Sequence, residues 1–103
     1  MEKYGLIGEL LAVPGKADEL EQILMSAAEL MKNAKGCQAY LVGRSAENGD
    51  LIEVIEVWDS KQDHDSSLNY PGVKELISKA MPLLDGPPEK GREIKLSGGH
   101  GLS

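Results

Sequence analysis

A chain of 103 residues with 41% hydrophobic content is sized for one domain around one modest core. Lysine and arginine number 11 against 17 acids, a net charge of −6 that argues against nucleic acid and against an anionic membrane surface, since both need a basic patch. A lone cysteine, Cys37, excludes an internal disulfide, and no apolar run approaches the ~18 residues of a membrane span, so the expected setting is cytoplasmic.

Tyr4 to Val13 is apolar apart from Glu9 and two glycines and reads as a first strand, stopped by Pro14-Gly15. From Lys16 to Lys35 the apolar positions Ala17, Leu20, Ile23, Leu24, Ala27, Leu30, Met31 and Ala34 fall on one helical stripe. Acids crowd its first turns and lysines its last, which complements the helix dipole, and Gly36 is placed as a left-handed cap. Cys37 to Ser45 is a second strand. Asn48-Gly49 then signals a hairpin into Leu51 to Trp58.

That third strand is the most informative stretch. Six of its eight residues are apolar, and each alternate set, Leu51, Glu53, Ile55, Val57 and Ile52, Val54, Glu56, Trp58, holds a single carboxylate. Both faces are therefore expected to be covered. Ser60 with Asp63 caps a short helix from about Lys61. Asn69-Tyr70-Pro71-Gly72 breaks it, with Pro71 expected to open the next helix, and Pro82 is expected to kink or end that one. Arg92 to Ser97 is a weaker final strand, so residues 1–97 form the domain and residues 98–103 a flexible glycine-rich tail.

The order β-α-β-β-α(α)-β is a split βαβ plan: a ferredoxin-like α+β fold with a four-stranded antiparallel sheet and helices on one face. The opposite face would expose a large apolar patch, which a second copy packed sheet to sheet would cover. The pattern thus predicts a homodimer.

With these elements placed, the chain resembles the antibiotic biosynthesis monooxygenase (ABM) family, which includes quinol-monooxygenase-like proteins. The likeness rests on Val13-Pro14-Gly15-Lys16 with Asp18-Glu19-Leu20, on Lys35-Gly36-Cys37, on Glu56-Val57-Trp58-Asp59-Ser60-Lys61, and on Pro71 opening a helix that runs to Leu83-Leu84. The resemblance implies a dimeric α+β barrel. It also implies cofactor-independent insertion of oxygen into a small aromatic or quinol-type metabolite, the deprotonated substrate itself reducing O2. The histidines common in the family fall at Ser67 and Gly72 here, and an asparagine of some members falls at Val54. The heme-degrading relatives need a histidine on the helix after Pro71, and this helix has none. The alternative function is a non-catalytic dimeric domain that binds or senses a small molecule.

The candidate catalytic residues are Glu56, a general base if burial raises its pKa, and His64, a proton acceptor near neutral pH. Glu56 has a competing expectation, an ion pair with Arg44 on the adjacent strand or with the partner chain. Trp58 is the candidate flat wall for an aromatic ring, and Tyr70 and Tyr40 are candidate hydroxyl partners. No metal site is expected, because His64, Asp63 and Asp65 are adjacent on a helix and point apart. Cys37 reads as an inert thiol.

Overall fold

The computed structural model describes residues 2–101; Leu102 and Ser103 of the expected tail lie outside the described residues. Strand β1 (Lys3–Leu11) leads into helix α1 (Ala17–Met31), then to the hairpin strands β2 (Cys37–Arg44) and β3 (Leu51–Trp58). Helices α2 (Lys61–Ser67) and α3 (Val73–Ala80), a 3-10 turn (Met81–Leu83) and strand β4 (Arg92–Leu96) complete the chain. The strands form one antiparallel sheet in the order β2-β3-β1-β4, the ferredoxin-like α+β arrangement expected from the sequence.

Register decides what each side chain can reach. Tyr4, Leu6, Gly8 and Leu10 of β1 lie opposite Trp58, Glu56, Val54 and Ile52 of β3, and Tyr40, Val42 and Arg44 of β2 lie opposite Glu56, Val54 and Ile52. Directly opposed residues share a face, so this set forms the side that the helices cover. There Leu20 and Leu24 of α1 pack with Ile52, Val54, Ala12 and Leu83 in the main core. Burying each large aliphatic side chain of that group contributes about 1.5–3 kcal/mol. A second cluster of Met31, Ala34 and Trp58 closes the other end of the layer.

The other face is the one α1–α3 leave uncovered. Leu41, Ile55 and Ile7 stand side by side across β2, β3 and β1. Leu41 is 59% and Ile55 44% exposed. Here the expectation that both faces of β3 are covered does not hold within a single chain.

Several boundaries differ from the sequence reading for local reasons. Helix α1 ends at Met31, before the lysines and before Gly36, because turn bonds from Asn33 to Leu30 and from Ala34 to Met31 replace the helical ladder. Gly36 is left-handed (φ 81°) as expected, but its work is in the turn into β2: the Asp63 carboxylate occupies the space a Cβ would take. Gly49 is not left-handed; the hairpin loop is held by the Ser45 hydroxyl, which accepts from the Glu47 and Asn48 amides, and by Asn48 accepting from Asp50 N. Pro71 does not open α3. Gly72, at φ 94°, is its N-cap, and a side chain there would crowd Leu30. Pro82 ends α3 as expected, since a residue without an N–H fits the first positions of the 3-10 turn.

Candidate functional site

Between the sheet and the three helices lies a cavity of about 140 Å3. Helix α1 supplies Ile23, Leu24, Ala27 and Met31; α3 supplies Val73, Leu76, Ile77 and Ala80; Leu68 closes the connection between α2 and α3. Only Tyr40, Glu56, His64 and Ser67 bring polar atoms to this wall. Leu68 and Ile77, each about half exposed, form the rim. A larger groove of about 500 Å3 beside β4 is walled by Lys3, Asp59, Lys61, Glu93 and Lys95. That groove is open and charged, whereas ligand sites for small aromatic molecules are apolar with a few placed polar groups, as in the smaller cavity.

Strand β3 fixes two of the polar groups together. Glu56 and Trp58 are two residues apart and therefore on one face, and the Trp58 indole N–H donates to Glu56 Oε1 at 3.0 Å. Helix α2 brings the third. Ser60, the N-cap, accepts from Asp63 N at 3.1 Å and starts the helix so that its first turn lays His64 over the end of β3. His64 Nε2 comes to 3.8 Å from Glu56 Oε1. The imidazole sits between Tyr4 (ring centroids 5.6 Å apart) and Trp58 (5.8 Å, edge to face). Its Nδ1 faces Asp65 Oδ1 at 3.0 Å.

Burial pushes the Glu56 carboxyl above its ordinary pKa, with the Trp58 hydrogen bond and the His64 charge pulling the other way. Burial also raises the Tyr40 phenol, with the Glu56 charge adding to it, so this hydroxyl stays protonated and can donate. Tyr4 is pushed up to about 12, chiefly by burial and then by its hydrogen bond to Glu93. Asp65, held by Lys61 Nζ at 2.9 Å, lies below the usual carboxylate range through that bond first and His64 second.

The structure brings Glu56, His64 and Tyr40 together on the cavity wall. The other two candidates lie elsewhere. Trp58 is wholly buried behind Glu56, among Met31, Ala34, Leu30 and Val73, and presents no face to the cavity. Tyr70 packs against that same cluster and borders a separate polar groove with Ala34, Lys35 and Ser66. Arg44 does not pair with Glu56: it stands opposite Ile52 at the far end of β3 and pairs with Asp18 (2.7 Å) and Glu21 (2.6 Å) of α1. Cys37 is partly buried, and desolvation raises its thiol pKa, which suits an unreactive group. Among the described residues no group of three or more His, Cys, Asp or Glu side chains is placed to hold a metal ion, and no helix is long and apolar enough to cross a membrane.

Sequence reasoning missed Met31, Val73, Leu76, Ile77 and Ser67 as wall residues. The helical stripe could have flagged the aliphatic ones as inward-facing, but it does not separate a residue that fills the core from one that borders a void.

The same fold recurs among solved structures. A proposed antibiotic biosynthesis monooxygenase from Chloroflexus aurantiacus J-10-fl is 37% identical, with a TM-score of 0.86 over 98% of this chain and 99% of that one. A second proposed antibiotic biosynthesis monooxygenase, from Caulobacter crescentus CB15, is 23% identical with a TM-score of 0.83, covering 93% and 91% of the two chains. A conserved protein from Methanosarcina mazei Go1 shares the fold at 21% identity and a TM-score of 0.83, covering 91% and 92%. No curated protein matches the sequence significantly. The sequence profile of the family described as antibiotic biosynthesis monooxygenase matches residues 4–79, which take in strands β1 to β3, α1 and the whole cavity wall but its last residue. The chain belongs to the antibiotic biosynthesis monooxygenase family.

Proposed function

We propose that this protein is a cofactor-independent monooxygenase acting on a single-ring phenol or quinol in the cavity between sheet and helices. One observation carries the reading: Glu56 and His64, side chains 3.8 Å apart, stand together as a possible acid–base pair on the wall of a mainly apolar cavity. An apolar cavity of about 150 Å3 is known to admit benzene, so about 140 Å3 suits one ring.

In this mechanism the Glu56 carboxylate takes the phenolic proton, and His64 Nε2 shares it. The phenolate passes an electron to O2, and the radical pair closes a C–O bond to give a peroxide. The stored proton returns to the peroxide oxygen. The O–O bond then breaks, the ring carbon gives up its hydrogen, and water leaves as that carbon becomes a carbonyl. The sum is substrate C–H2 (or its phenol tautomer) plus O2 giving C=O plus H2O. Tyr40 donates to the substrate oxygen, and the aliphatic wall keeps bulk water from the anion.

The proposed working form is a homodimer joined through the sheet face bearing Leu41, Ile55 and Ile7, acting in the cytoplasm. The exposed Leu41 and Ile55, aligned with the half-buried Ile7 across three strands, support the dimer. A lone cysteine accords with the compartment.

Oxygen uptake with substituted hydroquinones tests the activity. Wild type is expected to consume O2 with single-ring quinols and not with anthrone, and Glu56→Gln to lower kcat by about 100-fold or more. Uptake no faster than buffer with every single-ring quinol would overturn the reading. The apolar wall alone would also serve a non-catalytic binding domain, whose mark is saturable hydroquinone binding by calorimetry with no oxygen consumed.

A further inference from the structure

His64 works only if its ring presents the correct nitrogen to Glu56, and the neighbouring groups decide which nitrogen that is. Two carboxylates face the ring from opposite edges: Glu56 of β3 at Nε2 and Asp65 of α2 at Nδ1. The other titratable groups around it are Tyr4 of β1, whose hydroxyl is spent on Glu93 of β4, and Tyr40 of β2 in the cavity wall. Lys61, one turn before Asp65, donates to Asp65 Oδ2 and leaves Oδ1 for the imidazole. An ionised aspartate can only accept, so at 3.0 Å the proton belongs on Nδ1. The neutral ring then turns its Nε2 lone pair toward Glu56.

We infer that Asp65 is a positioning residue that holds His64 in the Nδ1–H tautomer, with Lys61 orienting Asp65, so that Nε2 can receive the proton Glu56 takes from substrate. This rests on the reading of Glu56 and His64 as the acid–base pair. Without the Asp65 acceptor the ring relaxes toward Nε2–H, which makes it a donor to Glu56 and blocks transfer in the required direction. Asp65 touches neither substrate nor Glu56, and its effect passes wholly through the imidazole.

Long-range 1H–15N correlation spectra of labelled, substrate-free protein read the tautomer directly. With only two histidines in the chain, His100 serves as an internal reference. Wild type is expected to show His64 with its proton on Nδ1 at pH 8. Asp65→Ala should move it mostly to Nε2, and Asp65→Asn, which keeps an acceptor oxygen, should restore the Nδ1–H form. In oxygen uptake, Asp65→Ala should lower kcat by about tenfold or more while KM holds, with the low-pH limb of the rate profile displaced. A wild-type Nε2–H signal, or identical tautomers in wild type and Asp65→Ala, would overturn the inference. The spectra need no substrate, so expected tautomers with no oxygen uptake would reject the monooxygenase reading and leave the role of Asp65 standing.

Discussion

Glu56 is a carboxylate held at the edge of an apolar space, and that position has a consequence for stability as well as chemistry. Its folded pKa is raised by burial, so the native state holds its proton more tightly than the unfolded chain. The contribution is therefore fully present below the unfolded carboxyl pKa and is lost as pH rises through the folded value. Glu56→Gln keeps the acceptor oxygen for Trp58 and cannot ionise. Its stability relative to wild type should climb between pH 4 and pH 8 in urea titrations. A difference that is flat or falls over that range would show that the carboxyl is not desolvated. The sequence marked Glu56 and His64 as neighbours of Trp58, but it gave no means of seeing that Trp58 lies behind them. Alternation along β3 assigns a face; the depth on that face is set by Met31, Ala34 and Tyr70, which come from elsewhere in the chain. Arg44 shows the same gap, being on the correct face and at the wrong end of the strand.

At the scale of elements, α2 is seven residues long and cannot hold itself together, so its ends carry the structure. Ser60→Ala should cost about 1 kcal/mol by removing the acceptor for Asp63 N. Because α2 carries His64, the same change should broaden the His64 resonances more than those of His100. Gly36 is the counterpart on the β2 side. Gly36→Ala combines a left-handed backbone with a clash against Asp63 and should cost about 1–3 kcal/mol or more. In an Asp63→Ala background the steric part is relieved, so the penalty should shrink; an unchanged penalty would assign it all to the backbone. The succession of strands and helices along the chain and the stop at Pro82 were legible because each depends on a local pattern. The loop at Gly49 was not, because the Ser45 and Asn48 side chains supplied the turn bonds that an Asn-Gly turn would otherwise have made.

Across the whole molecule the sheet divides two duties. Its helix-covered face holds the core and the cavity, and its open face carries the aligned Leu41, Ile55 and Ile7. The proposed dimer predicts that Ile55→Glu, central in that row, yields a monomer by light scattering with the far-UV spectrum unchanged. A wild type that is already monomeric at micromolar concentration would refute the pairing. The two faces meet in β3, where odd residues would contact the partner and even residues face the helices, with Glu56 on the cavity wall. Two neighbouring substitutions, Ile55→Glu and Glu56→Gln, should therefore separate association from catalysis.

The chain holds a single tryptophan, and its indole is bonded to Glu56 and in edge contact with His64. Protonated imidazole quenches indole emission, and a change in the Glu56 bond alters its wavelength. Trp58 is thus a built-in optical probe of the acid–base pair. A quinol entering the cavity should perturb that emission before any oxygen is consumed.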